Sequence, residues 1–276
     1  MKKKACFGVF AVLVVMALVF SSCSNPTSGV INRDVPENGL TDALNWLDYN
    51  ATSNSSYNLK ITGDQEIAGK GLKYGIKKNI TITLSAVSGN STIKLLGEGP
   101  IFIIDEGVTL VLEDGITLQG HNEGKFTLVE VYKDGKLVMN NGAKITGNKC
   151  SFGSGGVCVY DDGIFIMNGG EISANETTVD GGGVAVFGTF EMNGGKIFGN
   201  KCNGWGGGVF VSYVGVFSIT NGTIYGYAAG VNANTAGIDG NALYNDGTAQ
   251  YGTGGTWTPL PNDIENNDFI VNDGSL

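Results

Sequence analysis

The chain is poor in the side chains that most often do chemistry. Of its 276 residues one is arginine, Arg33, and one is histidine, His121. Arg33 precedes the repeated region, and His121 falls at a corner equivalent to Asn148, where it reads as a turn residue. Five cysteines contain no Cys-x-x-Cys pair, so neither a zinc centre nor a thiol redox site is expected. Only 5 prolines stand against 45 glycines, while apolar residues make up 42%. That balance excludes a disordered chain and suits many short strands joined by tight corners. Basic residues number 17 against 26 acids. The acid surplus repels phosphates and anionic headgroups, so no nucleic acid partner is expected.

The first residues read as processing information rather than fold. Lys2, Lys3 and Lys4 precede an uncharged run from Ala5 to Phe20, followed by Ser21-Ser22-Cys23. The run is shorter than the ~20 residues that a bilayer core requires. The order resembles a bacterial lipoprotein signal peptide, with residues 1–22 removed and Cys23 lipidated, as by palmitate. An ordinary secretory signal is the other reading. Losing residues 1–22 removes three lysines and no acid, which leaves a formal charge of −12.

What the chain has in abundance is one repeated phrase. Leu137-Val138-Met139-Asn140, Phe165-Ile166-Met167-Asn168, Phe190-Glu191-Met192-Asn193 and Phe217-Ser218-Ile219-Thr220 each lead through glycine to an isoleucine, at Ile145, Ile172, Ile197 and Ile224. Gly155-Gly156-Val157, Gly182-Gly183-Val184 and Gly207-Gly208-Val209 precede three of the copies. A unit this short cannot bury its own apolar face and must stack on its neighbours. Period-two segments upstream, such as Ile80 to Leu84 and Thr109 to Leu112, extend the pattern. Three short strands per coil predict an all-β fold: a single-stranded right-handed parallel β-helix, or solenoid. Val157, Val159, Phe165, Met167 and Ile172 should face inward and stack on Val184, Val186, Phe190, Met192 and Ile197. Asn148, Asn175 and Asn200 recur at one corner and Asn168 with Asn193 at another. There asparagine is expected to take left-handed angles and to bond from coil to coil. The paired glycines are expected to relieve a tight bend.

The same register disposes of the thiols. Cys150 and Cys202 stand two coils apart, roughly 9 to 10 Å at ~4.8 Å per coil, beyond disulfide reach. Cys158 alternates with two inward valines and should point outward.

The expected organisation is a leader at 1–22, a lipidated tether at 23–37, a capping helix and linker at 38–56, a β-helix at 57–250 and a C-terminal cap or tail at 251–276. Leu40, Ala43, Leu44 and Leu47 give the helix one apolar face, and Thr41 or Asn38 is its expected N-cap. The helix covers the open end of the solenoid or, in a second reading, binds a partner. Ala242 to Gly247 is expected to begin a last coil, with Trp257, Leu260, Ile264, Phe269 and Ile270 folding over the far end.

Gly-Gly-Val followed by Phe-x-x-Asn is similar to the Gly-Gly-Ala-Ile and Phe-x-x-Asn repeats of polymorphic outer-membrane proteins, with Val in place of Ala. More broadly, residues 100 to 228 resemble β-helix surface lipoproteins of the pectin-lyase-like class. The resemblance implies an adhesin-like role at the cell surface or outer membrane.

Many pectin-lyase-like proteins cleave acidic polysaccharides, using clustered acids for Ca²⁺ or paired carboxylates. Asp161-Asp162 is the best pair here, and adjacent residues normally point apart. Asp105-Glu106 and Glu113-Asp114 read as solvated turns. The expectation is therefore a lipid-anchored structural or adhesive protein of the cell envelope, with no catalytic residue, cofactor or metal, present as a monomer. Its partners are the membrane, through the lipid on Cys23, and host protein, glycan or envelope components. The candidate interaction surface is Phe210, Tyr213, Tyr225 and Tyr227. A divergent polysaccharide lyase or glycoside hydrolase is the alternative.

Overall fold

A computed structural model describes residues 29–253, 256–264 and 269–271. The expected leader, Cys23, the tether up to Ser28 and the side chains of Trp257 and Ile270 lie outside that description. The chain winds as an all-β, right-handed, single-stranded parallel solenoid with one short N-terminal helix. Each full coil from the second onward contributes one strand to each of three sheets. Sheet A runs in order from Val30–Val35 through Ser55–Ile61, Ile80–Ala86, Val108–Leu112, Lys136–Met139, Ile164–Met167, Thr189–Met192 and Val216–Ile219 to Thr248–Thr253. Sheets B and C stack their coil strands in the same parallel sense. A fourth, three-stranded sheet of Lys149–Cys150, Glu176–Thr177 and Lys201–Cys202 was not foreseen from the sequence.

Period two decides which residues are inside. Phe165 pairs with Phe190, and Phe190 with Phe217, in unbroken parallel register. Their rings lie 4.6 and 5.1 Å apart, fully buried. Val157, Val184 and Val209 stack likewise in sheet C, and Ile145, Ile172, Ile197 and Ile224 in sheet B. Like meets like, so each coil's apolar side is removed from water only by the next. Truncating a central ring such as Phe190 to alanine would cost about 3–5 kcal/mol.

Asparagine forms the corner ladder, but not for the backbone reason expected. Gly147, Ala174 and Gly199, each just before the asparagine, take the positive φ of 71°, 54° and 61°; Asn148, Asn175 and Asn200 do not. The amides instead turn inward and fill hydrogen-bond vacancies. Asn148 N–H donates to Asn175 Oδ1 at 3.2 Å, Asn175 N–H to Asn200 Oδ1 at 3.1 Å, and Asn200 N–H to Asn234 Oδ1 at 2.9 Å.

The glycine pairs serve that ladder. A Cβ on Gly183 would lie 2.6 Å from Gly208 O and 3.1 Å from Asn200 Nδ2. Gly-Gly-Val is thus where the next coil's backbone passes too close for a side chain, with the corner asparagine packed beside the second glycine.

The N-terminal end departs from expectation in two places. The strand Val30–Val35 lies within the stretch read as tether and pairs in parallel with Ser55–Ile61, so the first coil begins before the helix. The helix runs Leu40–Asn50 and buries Leu40, Ala43, Leu44 and Leu47 as expected. Its N-cap is Gly39, without a side-chain cap. Gln65 Oε1 accepts the Leu40 N–H at 3.0 Å instead, because the helix lies against the first strand of sheet B. Lys70 ties it to the first strand of sheet C through Asp48 at 2.5 Å.

At the far end three antiparallel strands close the three sheets. Thr256–Pro259 pairs with Thr248–Thr253, Asp263–Ile264 with Leu243–Asn245, and Phe269–Val271 with Gly222–Ile224. Leu260 and Phe269 are buried there and Ile264 is half-buried.

Candidate functional site: the outer face of sheet C

Two outward columns run along sheet C. The first holds Glu130, Cys158, Ala185, Phe210 and Tyr244, each one residue after an inward valine or leucine. The second lies two residues further on and holds Tyr132, Tyr160, Phe187 and Ser212, whose N–H groups each bond one coil back. Bulk alternates between the columns. Where the first is small, at Cys158 and Ala185, the second carries Tyr160 and Phe187. Where the second shrinks to Ser212, the first carries Phe210, and Tyr244 follows Phe210 in the next coil. One oblique aromatic stripe results.

Its spacings are uneven in an informative way. Tyr132 and Tyr160 stack at 4.5 Å, with planes 22° apart. Tyr160 and Phe187 are near parallel at 15° yet 6.3 Å apart, so the rings are slipped and part of a face is left uncovered. Phe187 meets Phe210 at 6.2 Å and 62°, and Phe210 stacks on Tyr244 at 6.0 Å. Trp205 extends the stripe, 5.8 Å from Tyr244.

Three hollows converge on the slip. One of about 350 Å³ lies over Tyr132, Tyr160 and Phe187, with Lys133 and Asp161 on its rim. A second of about 380 Å³ continues past Asp161 and Asp162 to Val214 and Val216. The third, about 150 Å³, sits over Cys158 and Ala185 and is walled by Ser154, Val179 and Asp180. Phe187 lines all three.

The electrostatics of this face are acidic and partly enclosed. Lys133 is held by Asp162 at 2.9 Å, whereas Asp161 has no ion-pair partner among the described residues. Glu130 is buried, and burial pushes its carboxyl above the usual range, although Tyr132 donates its hydroxyl to Oε2 at 3.2 Å. Burial also raises the Tyr160 phenol and pushes the Cys158 thiol up to about 12. Ser212 Oγ is buried and has no hydrogen-bond partner among the described residues.

Cys158 points away from the interior as expected, yet it is buried, because the segments before the sheet C strands fold over it. Cys150 and Cys202 are buried and free as well, and Thr177 stands between them in the small sheet.

The four aromatic residues singled out from the sequence fall on two faces. Phe210 belongs to the stripe, and Tyr213 is 79% exposed in the turn beyond it. Tyr225 packs on Phe198 at 5.8 Å beside sheet B, and Tyr227 is exposed at the start of the 3-10 helix Tyr227–Asn232. Tyr132, Tyr160, Phe187 and Tyr244 were not singled out. The signal for Tyr132, Tyr160 and Phe187 was the outward position after Val-x-Val, and for Tyr244 the position of Phe210 one coil on.

Of the residues weighed for chemistry, Asp161 and Asp162 line the groove, whereas Arg33 and His121 lie apart from it. Arg33 sits over the Trp46 ring at 4.8 Å in the first coil. His121 Nδ1 accepts the Glu123 N–H at 3.1 Å, a turn contact. No cluster of three or more His, Cys, Asp or Glu able to hold a metal occurs among the described residues. Fold and face together define a parallel β-solenoid scaffold with an aromatic stripe along one sheet. No family model, curated protein or solved structure matches the chain.

Proposed function

We propose that this protein is a lipid-anchored scaffold of the cell envelope that recognises its partner through the stripe on sheet C and catalyses nothing. The order Lys2 to Cys23 supports export and lipidation at Cys23, and the acidic surface supports solubility outside the bilayer. The observation that carries the recognition reading is the convergence of three hollows on Phe187, along a stripe of stacked rings. Such a scaffold works as a monomer, held to the outer membrane by acyl chains and displaying the solenoid to host protein, glycan or neighbouring envelope components.

Protease shaving of intact cells, read out on residues 100–228, tests display. Loss of signal is the expected result, and full protection until the cells are lysed would overturn it. Substituting Cys23 to serine should release the protein into the soluble fraction.

A divergent polysaccharide lyase or glycoside hydrolase is the second reading, favoured by one observation: the enclosed Glu130, whose raised carboxyl suits a general acid. Incubation with neutral and acidic polysaccharides decides between them. New chain ends, absent with Glu130→Gln, would establish the enzyme.

A further inference from the structure

We infer that the sheet C groove binds a linear neutral glycan, laid along the solenoid axis with one sugar ring over the slipped Tyr160–Phe187 pair. The inference rests on the reading of this face as the recognition surface and adds the ligand's chemical class.

Three features choose the class. The first is periodicity. Coils follow one another at ~4.8 Å, and a pyranose with its glycosidic oxygen advances a polymer by a closely similar length. The stripe's own steps, 4.5 Å from Tyr132 to Tyr160 and 6.3 Å from Tyr160 to Phe187, bracket that length, so neighbouring aromatic contacts fall about one sugar ring apart.

The second is the lining. The mouth joins an apolar ring face and ring edges with carboxylate acceptors at Asp161 and Asp162. A sugar ring has the matching halves, a C–H face and a belt of hydroxyl donors. The small hollow over Cys158 and Ala185 gives a substituent a place beside the rings.

The third is charge. The rim's lysine, Lys133, is already bound to Asp162, which leaves Asp161 to set the sign of the mouth. Uronate, sulfate and phosphate groups are repelled, so the neutral members of the class remain.

The test is calorimetric titration of the mature full-length protein with soluble β-glucan, α-mannan, polygalacturonate and oligolysine. Binding of a neutral glycan is expected, with polygalacturonate at least about tenfold weaker. Ala185→Trp fills the small hollow without entering the interior, and should weaken neutral-glycan binding about tenfold or more. Phe198→Ala, on sheet B, should leave it unchanged. Thermal unfolding is followed in parallel. If Ala185→Trp melts early, Phe187→Leu supplies the same readout with the ring face removed.

Three results would overturn the inference: no neutral glycan bound, preference for polygalacturonate or oligolysine, or binding that neither variant weakens. Failure here with surface display intact and no turnover leaves the scaffold standing. Cleavage of a bound neutral glycan would do the reverse, supporting the groove and ending the non-catalytic reading.

Discussion

Asn175 donates from Nδ2 to Oδ1 of Asn200, 3.1 Å away in the next coil, and its backbone N–H reaches the same oxygen at 3.1 Å. Asn200 returns the service from its own Nδ2, to Ile172 O at 2.9 Å and Phe198 O at 3.1 Å. All of these bonds but the one to Phe198 O are buried, where water cannot replace a lost partner. Asn200→Ala therefore leaves several buried polar atoms orphaned, at about 1–3 kcal/mol each.

The expected loss for Asn200→Ala is about 3 kcal/mol or more, measured by urea unfolding. Asn193 is the internal control. It stacks in the same way, donating to Asn168 at 3.2 Å and accepting from Thr220 at 3.0 Å, but on the exposed side. Asn193→Ala should cost under about 1 kcal/mol, because water takes over the freed groups. Equal losses at the two sites would refute burial as the cause.

Ala174 carries a φ of 54° at the corner where the coils on either side place Gly147 and Gly199. A left-handed backbone costs an L-residue about 1–2 kcal/mol, offset in part by the extra freedom glycine has when unfolded. Ala174→Gly should stabilise the protein by about 0.5–1 kcal/mol. Gly199→Ala should destabilise it similarly, since a Cβ there meets nothing closer than Ala174 N at 3.9 Å and only the backbone objects. Calorimetric melting of the two variants checks both signs.

The stacked interior was legible because Val157 with Val159 and Phe165 with Met167 repeat a period-two pattern coil after coil, and register then follows from identity. The first coil was not, since Val30–Val35 alternates Ile31 and Val35 with polar side chains and resembles no repeat. Asn234 completes the corner ladder but stands 34 residues after Asn200, set apart by the 3-10 turn, where the earlier spacings are 25 and 27. The aromatic stripe escaped for a different reason. Tyr160, Phe187 and Phe210 each complement a small residue in the neighbouring column, Cys158, Ala185 and Ser212, and such compensation is visible only once both columns are laid side by side.

Glu130 offers a pH test. Burial raises its folded-state pKa above 4.5, the ordinary value. A raised pKa means the folded state holds the proton more tightly. Its contribution is then fully present below about pH 4.5 and is lost as pH rises through the folded-state value. At pH 7 the enclosed charge is a liability, so Glu130→Gln should raise the melting temperature there. At pH 4 the gain should largely vanish, because both side chains are neutral. A gain that is the same at both pH values would show that desolvation of the carboxylate is not responsible.

The closing strands make the last prediction. A parallel solenoid ends in three sheets whose outermost strands have one side unpaired, an invitation to another copy of the same end. Here Thr256–Pro259, Asp263–Ile264 and Phe269–Val271 run against the sheets rather than with them. They occupy the outermost hydrogen bonds of the repeat's own strands, and Leu260 and Phe269 cover the interior. Ending the chain after Thr253 removes all three strands at once. The outermost strands Gly222–Ile224, Leu243–Asn245 and Thr248–Thr253 would then present the repeat's own geometry to solution. The truncated protein should associate end to end, with sedimentation coefficients that rise with concentration while the full chain's do not. Because the helix Leu40–Asn50 still covers the other end, growth should stop at dimers joined tail to tail. A truncated chain that stays monomeric at every concentration would show that the antiparallel strands are not what keeps the end closed.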